Sequence, residues 1–122
     1  VRIPAAANGV VGIKPTYGRV PRSGAMRLAP SVDHVGPLAR SVADAARLLA
    51  VVAGHDPRDT QSSRLPVPDY EAEVRRDVSG VRIGVPRNYF YDVATDEIRA
   101  AMEASLAALD AAAYGAALQE AF

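Results

Sequence analysis

Cysteine is absent from these 122 residues, which excludes a disulfide framework and any thiolate metal site. No apolar run approaches the ~20 residues that span a bilayer, and no signal-peptide pattern is present. Nor is there a surplus of either charge. Fourteen basic residues meet fourteen acidic ones, interspersed along the chain, so neither nucleic acid nor an anionic membrane is indicated as a partner. Lysine is nearly missing too: the cations are one Lys and thirteen Arg. With the many alanines, that bias reads as GC-rich base composition rather than recognition chemistry. The expectation is a soluble, cytoplasmic protein.

What is present is dominated by small apolar residues. Alanine swells the 49% hydrophobic share, while Leu, Ile, Val and Phe together number 29, near the low end for a self-sufficient core. The length allows one domain at most, which would bury roughly two thirds of its unfolded surface. The chain begins without Met on "VRIPAAANGVVGIKPTYGRVPRSG". Val1, Arg2, Ile3 and Pro4 read as interior sequence, whereas free termini are usually polar and loosely held.

The local patterns divide the chain as follows. Residues 1–8 suit a short helix, with Pro4 at its first position and Asn8-Gly9 as its stop. Val10, Val11 and Ile13 suggest a strand covered on both faces, ended by Pro15. From Thr16 to Arg40 the sequence predicts loops, with strand-like pieces near Arg27-Leu28 and Val35. "SVADAARLLAVVAG" predicts a helix with Ser41 as N-cap, Asp44 completing a capping box and Gly54 closing it. Its apolar width, from Val42, Ala45, Leu49 and Val52 to Leu48 and Val51, predicts burial on more than one side. "HDPRDTQSSRLPVP" reads as the most mobile connection, with Asp56, Arg58 and Asp59 a solvated, mutually paired turn. A short helix is expected over 69–78, a strand through Val81, Ile83 and Val85, then a loop bearing Tyr89, Phe90 and Tyr91. A last helix starts near Thr95, striped by Ile98, Met102, Leu106 and Leu109. Beyond Ala113 there is no period. Two strands cannot shield a sheet, so the whole reads as a slice of a larger α/β layer structure.

The stretches "VRIPAAANGVVGIKPTYGRVPRSG", "SVDHVGPLARSVADAARLLAVVAGHDPRD" and "VRIGVPR" together resemble the amidase signature family. The resemblance is strong over 1–63 and weaker over 64–91; 92–113 is the last helix, and 114–122 departs from the family, where another strand is expected. It implies an α/β fold, a partial α/β/α sandwich with a mixed central sheet, here a helix-rich piece of one domain. It also implies a Ser-Ser-Lys triad and no cofactor. The family's Gly-Gly-Ser run leads through one residue into an Arg, here Val1 and Arg2. The nucleophilic serine is therefore expected immediately before Val1, with the second serine and the lysine further upstream. No catalytic residue is expected within the chain.

A serine hydroxyl needs a base to take its proton, and backbone N–H donors to hold the oxyanion. The implied activity is cleavage of a small-molecule carboxylic amide through an acyl-enzyme, with this piece inactive alone and in need of the remainder of its domain. The alternatives are a fragment of an aminoacyl-tRNA amidotransferase A subunit, which releases ammonia from glutamine, or a non-catalytic scaffold. Arg2 is the residue expected near the active site, paired with an upstream acid or facing a carboxylate substrate. Lys14 falls in the family's "GLKPT" segment and reads as structural. Ser41 is a cap, and Ser23 sits in a turn. Ser31, Asp33 and His34 invite a triad, but neighbouring residues on an extended strand face opposite ways. His34 and His55 lack metal-ligand spacing. "RVPRSG" is too short for a nucleic-acid patch.

Overall fold

A computed structural model describes residues 1–77, 84–85, 87–111 and 119–120. The chain divides into two compact units, Val1–Arg76 and Asp77–Phe122, each taken by itself below.

The first unit opens with helix α1, Arg2–Ala7. Pro4 falls at the third helical position rather than the first, where its missing N–H costs nothing because no intrahelical acceptor exists there. The helix ends as its sequence demands. Gly9 is left-handed at φ +61°, its N–H bonding the Ala6 carbonyl at 3.2 Å while Val10 N–H bonds that of Ala5 at 3.0 Å. That pair of bonds is a Schellman close, which a side chain at Gly9 would strain. Strand β1, Val11–Gly12, pairs antiparallel with β2, Leu38–Ala39, in the register Val11 with Ala39 and Gly12 with Leu38. The Ile13 amide prolongs the ladder to the Pro37 carbonyl at 3.1 Å. Residues Arg27-Leu28 and Val35, expected as strand-like, join no ladder; the second strand lies beyond them.

Helix α2, Val42–Val52, carries its predicted cap: Ser41 Oγ accepts from the Asp44 amide at 3.1 Å. Asp44 does not complete the box by reaching the Ser41 backbone. Its shorter carboxylate accepts the Ser41 hydroxyl at 2.7 Å instead. Ala45, Ala46 and Leu49 are buried, but Val42, Leu48, Val51 and Val52 are exposed. The two-sided burial expected from the helix's apolar width is thus realised on one side only. Helix α3 is one turn, Tyr70–Glu73, capped by Asp69 Oδ1 on the Ala72 amide at 3.0 Å. It is shorter than the helix expected over 69–78: bonds from Arg75 N–H to the Ala72 carbonyl and from Arg76 N–H to that of Glu73 tighten its end. Val78 lies outside the described residues.

The largest correction concerns residues 55–68. The segment expected to be most mobile is tied into the first unit by an ion pair. Asp59 and Arg22 are 2% and 5% exposed. The Asp59 carboxylate accepts from the Arg22 amide at 2.9 Å, the Arg22 Nε at 3.4 Å and the Gln61 amide at 3.1 Å. The other guanidinium nitrogens donate to the Tyr17 hydroxyl at 2.8 Å, the Pro30 carbonyl at 2.7 Å and Gln61 Oε1 at 2.7 Å. The guanidinium also lies 4.4 Å from the Tyr17 ring centre. A buried charge pair is tolerable only when its remaining donors and acceptors are satisfied, and here all three guanidinium nitrogens and both carboxylate oxygens have partners. Ser62, also buried, binds the Asp56 and Asp59 carbonyls and sits 2.8 Å from His55 Nδ1. At Gly18, φ is +77° and a Cβ would collide with the Gln61 carbonyl, while its own carbonyl accepts from the Ser63 amide at 2.7 Å. Only glycine lets the two loops lie this close. Asp56 pairs with the exposed Arg58 at 2.9 Å, as expected, but Asp59 belongs to the interior.

In the second unit β3, Gly84–Val85, pairs in parallel with β4, Gln119–Glu120, across helix α4, Asp96–Ala111. Parallel neighbours need such a crossover. The resemblance implies a strand after the last helix, from which 114–122 reads as a departure for want of a period; Gln119–Glu120 pair as one all the same, through the backbone rather than a side-chain pattern. Val81 and Ile83, expected in the preceding strand, lie outside the described residues. Tyr89 is left-handed at φ 61°, its amide held by Asp92 Oδ2 at 3.1 Å, and it and Phe90 are exposed.

Ser41→Ala should lower stability by about 1 kcal/mol and Ser41→Gly by only a few tenths, read from urea denaturation. Hydrogen bonds from the Arg22 amide, and then the Gln61 amide and the Arg22 guanidinium, hold the Asp59 carboxyl below its ordinary range against the opposing effect of burial. Its contribution is therefore fully present above the unfolded value, about pH 4, and is lost as pH falls through the folded one. The denaturation midpoint should be flat from about pH 5 to 7 and fall below about pH 4. Asp59→Asn, which strands the buried guanidinium, should cost more than Ser41→Ala at neutral pH and flatten the acid limb.

Candidate functional site

The first turn of α1 and two loops enclose a cleft of about 330 Å³. Arg2 stands on one wall with Val1, Ile3 and Pro4; Lys14 lies at the end of β1; Asp33 and His34 come from the loop that leads into β2. The β1–β2 register makes this juxtaposition. Because Ile13 is bonded to Pro37, the next residue, Lys14, is carried toward the residues just before it.

Lys14, Asp33 and His34 are each held. The His34 Nδ1 lies 2.6 Å from the Val32 carbonyl, which can only accept. We therefore assign the proton to Nδ1, leaving the Nε2 lone pair to receive the Lys14 ammonium at 3.3 Å. Lys14 also reaches the Pro15 carbonyl at 3.4 Å. The Tyr17 ring meets His34 edge-on at 5.5 Å, so the side chain bound by buried Arg22 also backs the cleft wall. Asp33 points away from the imidazole. Its carboxylate accepts from the Leu28 amide at 2.9 Å and the Ala29 amide at 3.0 Å. Arg2 is exposed and forms no ion pair among the described residues.

This geometry bears on each residue singled out in the sequence. Ser31, Asp33 and His34 are not assembled as a triad, since the imidazole is oriented by Val32 and Lys14, not by Asp33. Lys14 has an imidazole and a carbonyl as partners, not a serine. Ser23 Oγ is buried without a well-formed hydrogen bond, and Ser41 is the cap of α2. His55 serves the Ser62 turn. Tyr91, in the second unit, has a buried hydroxyl, and burial pushes its pKa up. What the sequence did not reveal is that Arg2, Lys14 and His34 share one cleft. The only available signal was the pairing of "VVGIK" with "VGPLA", which no single residue announces.

The model of the Amidase family matches residues 1–120. The chain belongs to the amidase family. It is 48% identical over 106 residues to the A subunit of glutamyl-tRNA(Gln) amidotransferase from Pelobacter propionicus, covering 87% of this chain and 22% of the relative. It is 49% identical over 112 residues to the corresponding protein of Acidobacterium capsulatum, covering 92% and 24%. A solved structure from work on an unexpected vestigial protein complex and the evolutionary origins of an s-triazine catabolic enzyme superposes with a TM-score of 0.84 at 37% identity. That match covers 97% of this chain and 25% of the other. The chain thus spans between a fifth and a quarter of the length of these curated relatives. Its mixed helix and strand content is that of the family's α/β class, and no helix among the described residues is long and apolar enough to cross a membrane.

Asp33 carries the cleft's loop wall, so Asp33→Ala should raise amide hydrogen-exchange rates at Leu28 and Ala29. Asp33→Asn, which keeps an acceptor oxygen, should fall between that variant and the parent. NMR-detected exchange checks both.

Proposed function

We propose that this chain forms part of a hydrolase that cleaves carboxylic amide C–N bonds through a serine acyl-enzyme. The supporting observation is a family match running across both units, with a cleft opening at Val1 and Arg2 that no serine of the described residues lines. In this reading both units belong to one α/β/α sandwich domain with a mixed central sheet. The attacking serine stands directly ahead of Val1, and the second serine and the base lysine come from further upstream. The serine oxygen adds to the amide carbon as its proton passes through the second serine to the neutral lysine. Backbone N–H groups hold the oxyanion. The proton then goes to the departing nitrogen as the C–N bond breaks, and water releases the acid from the acyl-enzyme. By itself the chain has no turnover, and a cytoplasmic location goes with the reading.

A second reading makes the parent an amidotransferase A subunit. The names of the relatives at 48% and 49% identity favour it. Glutamine would then be the amide, and the ammonia would be passed to a misacylated tRNA with other subunits present.

The full-length parent decides between them. Replacing the residue ahead of Val1 with Ala should abolish amide hydrolysis, whereas Ser31→Ala should leave it within about threefold. Amide hydrolysis by the 122 residues alone, lost on Ser31→Ala, would overturn the assignment. Glutamine turnover that requires tRNA and companion subunits supports the second reading; turnover of simple amides without them supports the first.

A further inference from the structure

We infer that His34 and Lys14 form a pH-gated contact: the neutral imidazole holds the Lys14 ammonium against the loop that leads into β2, and the protonated imidazole releases it. The contact works one way round only. An ammonium can only donate, so the 3.3 Å approach of Lys14 Nζ to His34 Nε2 needs a lone pair on that nitrogen. The Val32 carbonyl, 2.6 Å from Nδ1, can only accept, and it fixes the ring proton on the other side. A second proton therefore has one place to go. At Nε2 it turns the acceptor into a donor and sets a cation against a cation. Histidine is the side chain whose charge changes in this way between about pH 5 and 8.

Which partner moves is decided by what holds each. The imidazole is fixed through Nδ1 by Val32 and along its edge by Tyr17, whose hydroxyl is bound by Arg22. The backbone under it is fixed as well. The Val32 and Asp33 amides donate to the Ala29 carbonyl at 2.9 and 2.8 Å, and a Cβ at Gly36 would collide with the Ile13 carbonyl, so close does this loop lie to β1. Lys14 is exposed, and its other contact is the Pro15 carbonyl at 3.4 Å. Its flexible four-carbon stem gives way first. The other titratable and charged groups around the ring are Arg2 and the Val1 amino terminus from α1, Asp33 beside it, and Tyr17, Arg22 and Arg27 from the preceding loops. Release follows from the lone pair and not from the sum of these charges.

His55 has the opposite arrangement. The Ser62 hydroxyl gives its hydrogen to backbone carbonyls, that of Asp59 at 2.7 Å, so its oxygen accepts from His55 Nδ1 at 2.8 Å and from the Asp56 amide at 3.0 Å. Nδ1 carries a proton in both charge states, and a second proton enters at Nε2 without touching the turn. The gate thus belongs to one of the two histidines. It also stands apart from the proposed amide hydrolysis, which uses neither of them.

The test is an NMR pH titration of the chain, isotope-labelled in its lysine and histidine side chains. One lysine and two histidines make each signal assignable. The amino terminus is acetylated so that its own titration cannot mimic the effect. Ring nitrogen shifts should show neutral His34 and His55 both protonated at Nδ1. As His34 takes up its second proton, the Lys14 Cε shift should move with the same midpoint, and the NOE between the Lys14 Cε protons and the His34 ring should be lost. His34→Gln, whose amide oxygen accepts at every pH, should flatten the Lys14 response, whereas His55→Gln should leave it unchanged. Retained shift dispersion at Ala45 and Leu49 shows that each variant is folded. The same labels in the full-length parent, with the signal assigned by its absence in Lys14→Arg, should give the same response. A Lys14 shift that stays flat through the His34 titration, an NOE that persists on the acid side, or a neutral His34 protonated at Nε2 overturns the inference.

Discussion

The first unit depends on one buried charge pair. Arg22 and Asp59 each carry an ion into an interior that otherwise holds little more than alanine, valine and leucine side chains. An unsatisfied ion there would cost more than any local interaction could return. The protein meets that constraint by giving every guanidinium nitrogen and both carboxylate oxygens a partner, among them Tyr17, Pro30, Gln61 and the backbone of Arg22 itself. Two loops are thereby tied to one another by side-chain and backbone hydrogen bonds, with Val20 the apolar residue they bury. The buried apolar residues of this unit are few and mostly small, so polar complementarity does much of what packing does in larger domains.

That arrangement also positions the cleft. Tyr17 is shared: its hydroxyl takes part in the ion-pair network, and its ring edge rests against His34, whose Nε2 receives Lys14. The chain of contacts runs from a buried aspartate to an exposed ammonium through three intervening side chains. The β1–β2 register supplies the other half of the placement by bringing Lys14 beside the 32–37 segment. Arg2 arrives independently, on a helix stopped by a glycine that turns the chain straight back into β1.

The elements legible in the sequence are those whose signals are local. The cap at Ser41, the stop at Asn8-Gly9, the start of α4 and the strand at Val11 are all written within a few residues of where they occur. What escaped is non-local. Asp59 looked like one more acid in a polar turn because its partner is 37 positions away, inside a "RVPRSG" stretch that looked like mere punctuation. The apolar width of α2 overstated its burial because periodicity records which face is oily, not what covers it. The strand at Gln119–Glu120 has no pattern of its own and exists through pairing with β3. The cleft was half visible: family resemblance pointed to Arg2, but Lys14 and His34 were read singly, and their meaning lies in being together.

The separation between Arg22 and Asp59 has a kinetic corollary. The segment they enclose contains the whole of α2 and the β2 strand, so the clasp is the closure of a long loop, whose entropy must be lost before its bonds form. A capped eleven-residue helix is a local event and closes far sooner. Ordered by chain distance, the helix closes ahead of the long-range contacts between the 17–22 and 59–66 segments, the ionic latch among them. A latch formed after the rate-limiting barrier, when weakened, hastens opening and leaves the pace of refolding almost untouched.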